Sequence, residues 1–195
     1  MSGFGVVVAA VVALAVIAYG WYVSLITRRN RAREALSSID VQLRKRHDLV
    51  PNVLKLARKF MSHEKELLDS LTELRTQAQA GYSVDVPEDV AKHLAAEGAL
   101  QTGLARLFAV AENYPELRSS DTIITAQQTY SEVEGHIAAA RRFYNSAVTR
   151  LNNAIQIFPG SVIANWANVR AMPFFELEDA AVRQPVDADK YLSDS

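Results

Sequence analysis

The side chains able to do chemistry are few in this 195-residue chain. Four histidines stand at His47, His63, His93 and His136, and there is no cysteine. The missing thiols exclude disulfides, thiolate catalysis and zinc–thiolate sites. Glu132 and His136 are four residues apart, and His63 precedes Glu66 by three. Both spacings put two groups on one helix face. A catalytic zinc takes three protein ligands, and no HExxH-type pair is present. No metal, cofactor or catalytic set is therefore expected, and these histidines read as solvated polar positions. Serines are scattered without a base nearby, and nothing resembles a phosphate loop or a nucleophile elbow. Asp40, Arg44 and Asp48 repeat every four residues, which predicts intrahelical ion pairs worth roughly 0.3 kcal/mol each. A sharper reading has Arg44 or Arg46 meeting Glu112 or Glu134 across a bundle. Asn145, Asn152 and Asn153 are poor helix formers in a helical stretch. They ask for helix–helix hydrogen bonds or for polar contact with a partner.

The elements that must position these groups are long helices. Apolar residues recur at three and four: Ala32, Leu36, Ile39, Leu43 and Val50, then Val53, Ala57, Phe60, Leu67, Leu71 and Leu74. This stripe predicts one helix from the membrane to about Gln79, a rod reaching ~78 Å and kinked at Pro51. Gly81 to Pro87 is turn-like. A second helix from about Glu88 carries Val90, Leu94, Leu100, Leu104 and Phe108, and Asn113-Tyr114-Pro115 ends it. Gly98 and Gly103 weaken it by about 1 kcal/mol each against alanine unless close packing requires them. Ser119, Ser120 and Asp121 offer caps for a third long helix, which Pro159-Gly160 stops. A short helix over about Val162–Val169 follows, and Met172, Phe174 and Phe175 are expected to pack back on the bundle. The fold class is all-α: an N-terminal transmembrane helix, then an elongated antiparallel bundle of three long helices plus a short C-terminal helix. Short connections favour that up-down arrangement.

From Phe4 to Ile26 no residue is charged, and the run reaches ~34 Å, enough to cross a ~30 Å hydrocarbon core. No base precedes it, and it ends in Tyr19, Trp21 and Tyr22. Those features favour a retained anchor over a cleaved signal peptide. Arg28, Arg29, Arg31 and Arg33 follow at once. They are expected to meet anionic lipid head groups and to hold the domain on the cytoplasmic side of the membrane, with the N-terminus outside. Gly5, Ala9 and Ala13 form a small-residue stripe suited to self-association in the bilayer. Residues 28–60 hold ten bases and three acids, whereas 61–195 hold eleven bases and nineteen acids. A nucleic-acid binder should carry a basic excess on its domain, so nucleic acid is not an expected partner. The divisions are 1–27, anchor; 28–176, helical bundle; and 177–195, an acidic tail expected to be disordered.

Four separated motifs then carry a resemblance. Residues 39–53 read IDVQLRKRHDLVPNV, which resembles the LemA family signature IDxQLxRRxDLIPNLV. His63-Glu64 falls where that family often has HE. Residues 107–117, LFAVAENYPEL, are similar to its LxAVAENYPxLK segment, and 140–145, ARRFYN, to its ARRxYN. Asn152 and Phe158-Pro159 continue the pattern. Leu151 stands where the family often has Tyr, and Asn168-Val169 where it often has Gly-Phe. The resemblance covers about residues 20–176. It implies a bacterial protein with an N-terminal membrane helix and an elongated helical bundle, and in that bacterial setting the membrane is the inner membrane. It implies links to the envelope, magnetosome-associated relatives, and no enzymatic activity established for the family as a whole. The signature also marks Asp40, Arg44, Asp48, Glu112, Arg141, Arg142 and Asn145 as distinctive polar positions, expected to set helix register by buried pairing or to form a binding surface.

Together these features lead to a non-catalytic scaffold or adaptor. It would present a rigid helical surface to other membrane or cytoplasmic proteins, or to copies of itself, as a homo-oligomer. Two alternatives belong to other classes. One is a sensor that binds a small ligand between helices near Arg44, Arg141 and Glu112 and signals through Pro51. The other is a membrane-shaping protein acting through its basic juxtamembrane segment.

Overall fold

The computed structural model describes residues 3–176, so the expected acidic tail lies outside the described residues. Those residues are mostly helical, and none of them forms a strand. Six helices follow in order: α1 Gly3–Phe60, α2 Lys65–Ala78, α3 Pro87–Ala111, α4 Pro115–Arg118, α5 Asp121–Gln156 and α6 Gly160–Trp166. Pro87 and Pro115 occupy first-turn positions, where the lost N–H would have no partner anyway.

The helix expected to run unbroken to Gln79 is two helices. It passes through Pro51, whose ring is exposed, and stops nine residues later at Phe60. Residues 61–64 form a turn pivoting on Met61, which is fully buried. Ser62 and His63 are weak helix formers. Folding back lets Leu68 and Leu71 bury, where a continued rod would leave them wet. The bundle therefore has four long segments rather than three. Cross-contacts give their directions. Arg28 meets Arg150 and Arg46 meets Glu134, so α5 runs antiparallel to α1. Asp40 meets His93 and Arg46 meets Glu97, so α3 runs parallel to α1, because α2 intervenes. Gly103 is the point of close approach in the α2–α3 pair: a Cβ there would lie 2.8 Å from Leu71 Cδ2. Gly98 has open space around it.

Two apolar clusters fill the interior. One joins Leu25 through Leu43 of α1 to Leu94, Ile137, Tyr144 and Val148. The other joins Val50 through Ala57 to Leu71, Leu100, Leu104 and Ile123. N-terminal to this core, residues 3–20 of α1 are exposed throughout, and their apolar window is long enough to cross a membrane.

The C-terminal end is closed by two small devices. α6 begins at Gly160, two residues earlier than the spacing suggests, and ends in a Schellman motif. Val169 N–H donates to the Ala164 carbonyl, and Asn168 N–H to that of Asn165. Asn168 takes the left-handed conformation this requires, φ 50°, which accounts for an Asn or Gly at that position. Met172 and Phe175 then bury against the bundle as expected, while Phe174, expected to pack with them, keeps 43% of its surface exposed.

Candidate functional site

The polar groups that the fold brings together lie between the two apolar clusters. Arg46 is fully buried. Its guanidinium donates to the Glu97 carboxylate and, at 3.0 Å, to the Glu97 carbonyl on α3. It also donates to Glu134 Oε1 on α5 at 3.0 Å. His47 Nε2 stands 2.8 Å from the second Glu97 oxygen, off the line of a hydrogen bond. Glu97 is itself fully buried. A buried ion pair of this kind contributes little net stability over an apolar pair, but removing one partner leaves a stranded charge. The layer thus penalises any helix slip that separates these partners.

One turn nearer the membrane-length segment is a second polar group. Tyr82, in the α2–α3 connection, donates to Asp40 Oδ2 at 2.8 Å, and its ring stacks on His93 at 4.0 Å. His93 Nε2 is 3.5 Å from the other Asp40 oxygen, too far for a good hydrogen bond. Burial, then the hydrogen bond to Asp40, pushes the Tyr82 hydroxyl well above its ordinary value of 10. Burial and the Glu134 charge do the same for Tyr130, and burial alone for Tyr144.

The sequence-derived positions are scattered by comparison. Arg44 and Asp48 are exposed, and no ion pair among the described residues joins Arg44 to Asp40 or Asp48, so the expected ladder is corrected. Asp40 turns instead to Tyr82, because that hydroxyl is fixed and partly dry. Glu112 is exposed beside Arg118, 3.3 Å away. It lies fifteen residues beyond Glu97 on α3, ~22 Å along the axis. It therefore does not converge with Arg44, which lies one turn before His47. Arg141 is half-buried and Arg142 exposed. Asn145 and Asn152 find a partner that neither expectation named. Each grips the backbone of the returning segment with both amide atoms, Asn145 at Phe175 and Asn152 at Met172, over 2.9–3.1 Å. Tyr144 adds a bond to the Pro173 carbonyl at 2.8 Å.

Of the residues expected at lipid head groups, Arg28 and Arg31 line an open cleft between α1 and α5 with Ser24, Phe143 and Arg150. Arg29 and Arg33 face the opposite side, where Arg33 pairs with Asp85. His136 lies 3.8 Å from Glu132 on the exposed face of α5.

Arg46, His47, Glu97 and Glu134 carry the interior; spacing offers Arg46 with Glu134 as one of several pairings and reads His47 as a solvated position, which its burial beside Glu97 corrects. The signal was present. Leu43, Arg46 and Val50 are consecutive members of the apolar stripe, and so are Leu94, Glu97 and Leu100. A charge in such a slot must be paired.

Fold and interior together define a class: a helical bundle pinned by a buried ionic layer and carried on an apolar helix of membrane-spanning length. The LemA family model matches residues 35–189, and the chain belongs to the LemA family. It is similar to the magnetosome proteins MamQ 1 and MamQ 2 of Paramagnetospirillum magneticum, each 25% identical over 179 residues. It is also similar to the magnetosome protein MamQ of Magnetospirillum gryphiswaldense, at 23%. Each alignment covers 82% of this chain and 66% of the relative, so the chain spans just under two thirds of those proteins' length.

Proposed function

We propose that the chain is a membrane-anchored, non-catalytic scaffold. Its apolar helix crosses the inner membrane with the N-terminus outside, and its bundle stands in the cytoplasm. There it presents a rigid helical surface to other membrane or cytoplasmic proteins and to copies of itself. One observation carries this reading: α1 is a single helix of 58 residues that is membrane-length apolar surface in one half and the central strut of the core in the other. A connection without a break transmits position and orientation from bilayer to bundle. The four arginines after the apolar run support the cytoplasmic side. Closure of Arg46, His47 and Glu97 within the core leaves that cluster no opening to a substrate. Likeness to proteins named for the magnetosome supports a membrane setting.

Crosslinking in native membranes followed by mass spectrometry tests the proposal. Stoichiometric partners or homo-oligomers are expected, and a strictly monomeric, partner-free protein would overturn it. Protease digestion of intact cells tests sidedness: the bundle should be cut only after the membrane is opened.

A further inference from the structure

The corner between α5 and α6 exposes an apolar face beside the emerging α1. Phe158, Val162 and Trp166 recur every four residues and are 77%, 60% and 81% exposed. The other side of α6 is seated, with Gly160 and Ala164 buried. Residues 151–169 carry no charge, and arginines flank them at Arg150 and Arg170.

The placement of α6 gives this face its meaning. A Cβ on Gly160 would lie 3.6 Å from the Trp21 ring, and the Trp166 ring meets Tyr22 edge-on at 6.1 Å. Gly160 and Trp166 are ~9 Å apart along α6, whereas Trp21 and Tyr22 differ by ~1.5 Å of rise along α1. α6 therefore lies across α1, at the level where the exposed apolar half gives way to the core at Leu25. Trp and Tyr favour the membrane–water boundary, and a helix lying in that plane buries one apolar face and keeps the other side polar or supported. Arg28, about 10 Å further along α1 than Trp21, donates to the Arg150 carbonyl at 3.3 Å, which holds a cationic side chain on the core side of this level, within reach of lipid phosphates.

We propose that Phe158, Val162 and Trp166 form a second membrane contact, entering the head-group boundary of the leaflet from which α1 emerges. Two points of attachment then fix the tilt of the bundle, where a lone helix would let it swing. The inference rests on α1 spanning the bilayer. Continuity with the aromatic end of α1 and the lack of charge favour lipid over a protein partner.

The two tryptophans of the chain, Trp21 and Trp166, permit a direct test. The full-length protein is reconstituted into phosphatidylcholine–phosphatidylglycerol vesicles as Trp21→Phe, leaving only Trp166, and as Trp166→Phe, leaving only Trp21. Lipids brominated near the head-group end of the acyl chain should quench most Trp166 emission, and aqueous iodide should quench little. Adding Phe158→Asp and Val162→Asp should reverse both results, with the helical circular dichroism unchanged. Trp166 open to iodide and untouched by bromine overturns the contact. So does protection from both quenchers, which would mean that protein covers the face. Failure of the anchor reads out separately, as a Trp21 that bromolipid does not quench.

Discussion

Arg46 and Glu97 are both fully buried and joined side chain to side chain, although 51 residues separate them in the chain. Their contact lies between two apolar clusters, and Glu134 closes it from a third helix. The arrangement fixes which turn of α1 faces which turn of α3 and α5. An all-apolar interior tolerates a shift of one turn more readily, because leucines are interchangeable in a way that a guanidinium and its carboxylates are not.

Breaking that pair by halves should be costly. Arg46→Met or Glu97→Gln is expected to lower stability by about 3–5 kcal/mol, measured by urea unfolding of the detergent-solubilised chain. Arg46→Met combined with Glu97→Met should lose clearly less than the sum of the singles. A strictly additive double variant would show that the two groups do not act as a pair.

Alkaline titration should reveal the buried phenols. Burial raises Tyr82, Tyr130 and Tyr144 above the ordinary value. A group whose folded pKa is raised contributes stability that is whole below its unfolded value and falls as pH climbs past it. Stability should therefore hold up to about pH 10 and decline above it. Ultraviolet titration should show these three tyrosines ionising only with unfolding. Free ionisation of all seven in the folded state would contradict their burial.

The returning C-terminal segment should peel away when its clamps are cut. Asn145→Ala and Asn152→Ala each remove two hydrogen bonds to backbone, at about 1–2 kcal/mol per residue. Hydrogen exchange should accelerate at the Met172 and Phe175 amides while the core of α5 stays protected. Unchanged exchange at those amides would place the hold elsewhere, in the buried Phe175 ring.

Two glycines should respond in opposite directions. Gly98 has free space around it, and Gly98→Ala is expected to stabilise by about 1 kcal/mol through helix propensity. A Cβ on Gly160 would collide with the Ala154 carbonyl oxygen, so Gly160→Ala should lower the melting temperature. That loss comes from displacing α6 from α1 and α5.

The helical class, the membrane-length apolar run and the approximate limits of α3 and α5 are all written in local periodicity, charge and capping residues. The slots that Arg46 and Glu97 occupy among apolar residues are written there too, although the expectations drawn from spacing name Arg46 and not Glu97. Tertiary structure alone decided the turn at Met61, since that turn depends on whether Leu68 and Leu71 find α3 to bury against. It alone chose the partners of Arg46, Glu97 on α3 and Glu134 on α5, neither of them near it in the chain. The clamping of Asn145 and Asn152 onto the segment about thirty and twenty residues ahead is of the same kind. Spacing along the chain tells which residues share a face, but the partner across the gap is set by how the helices pack.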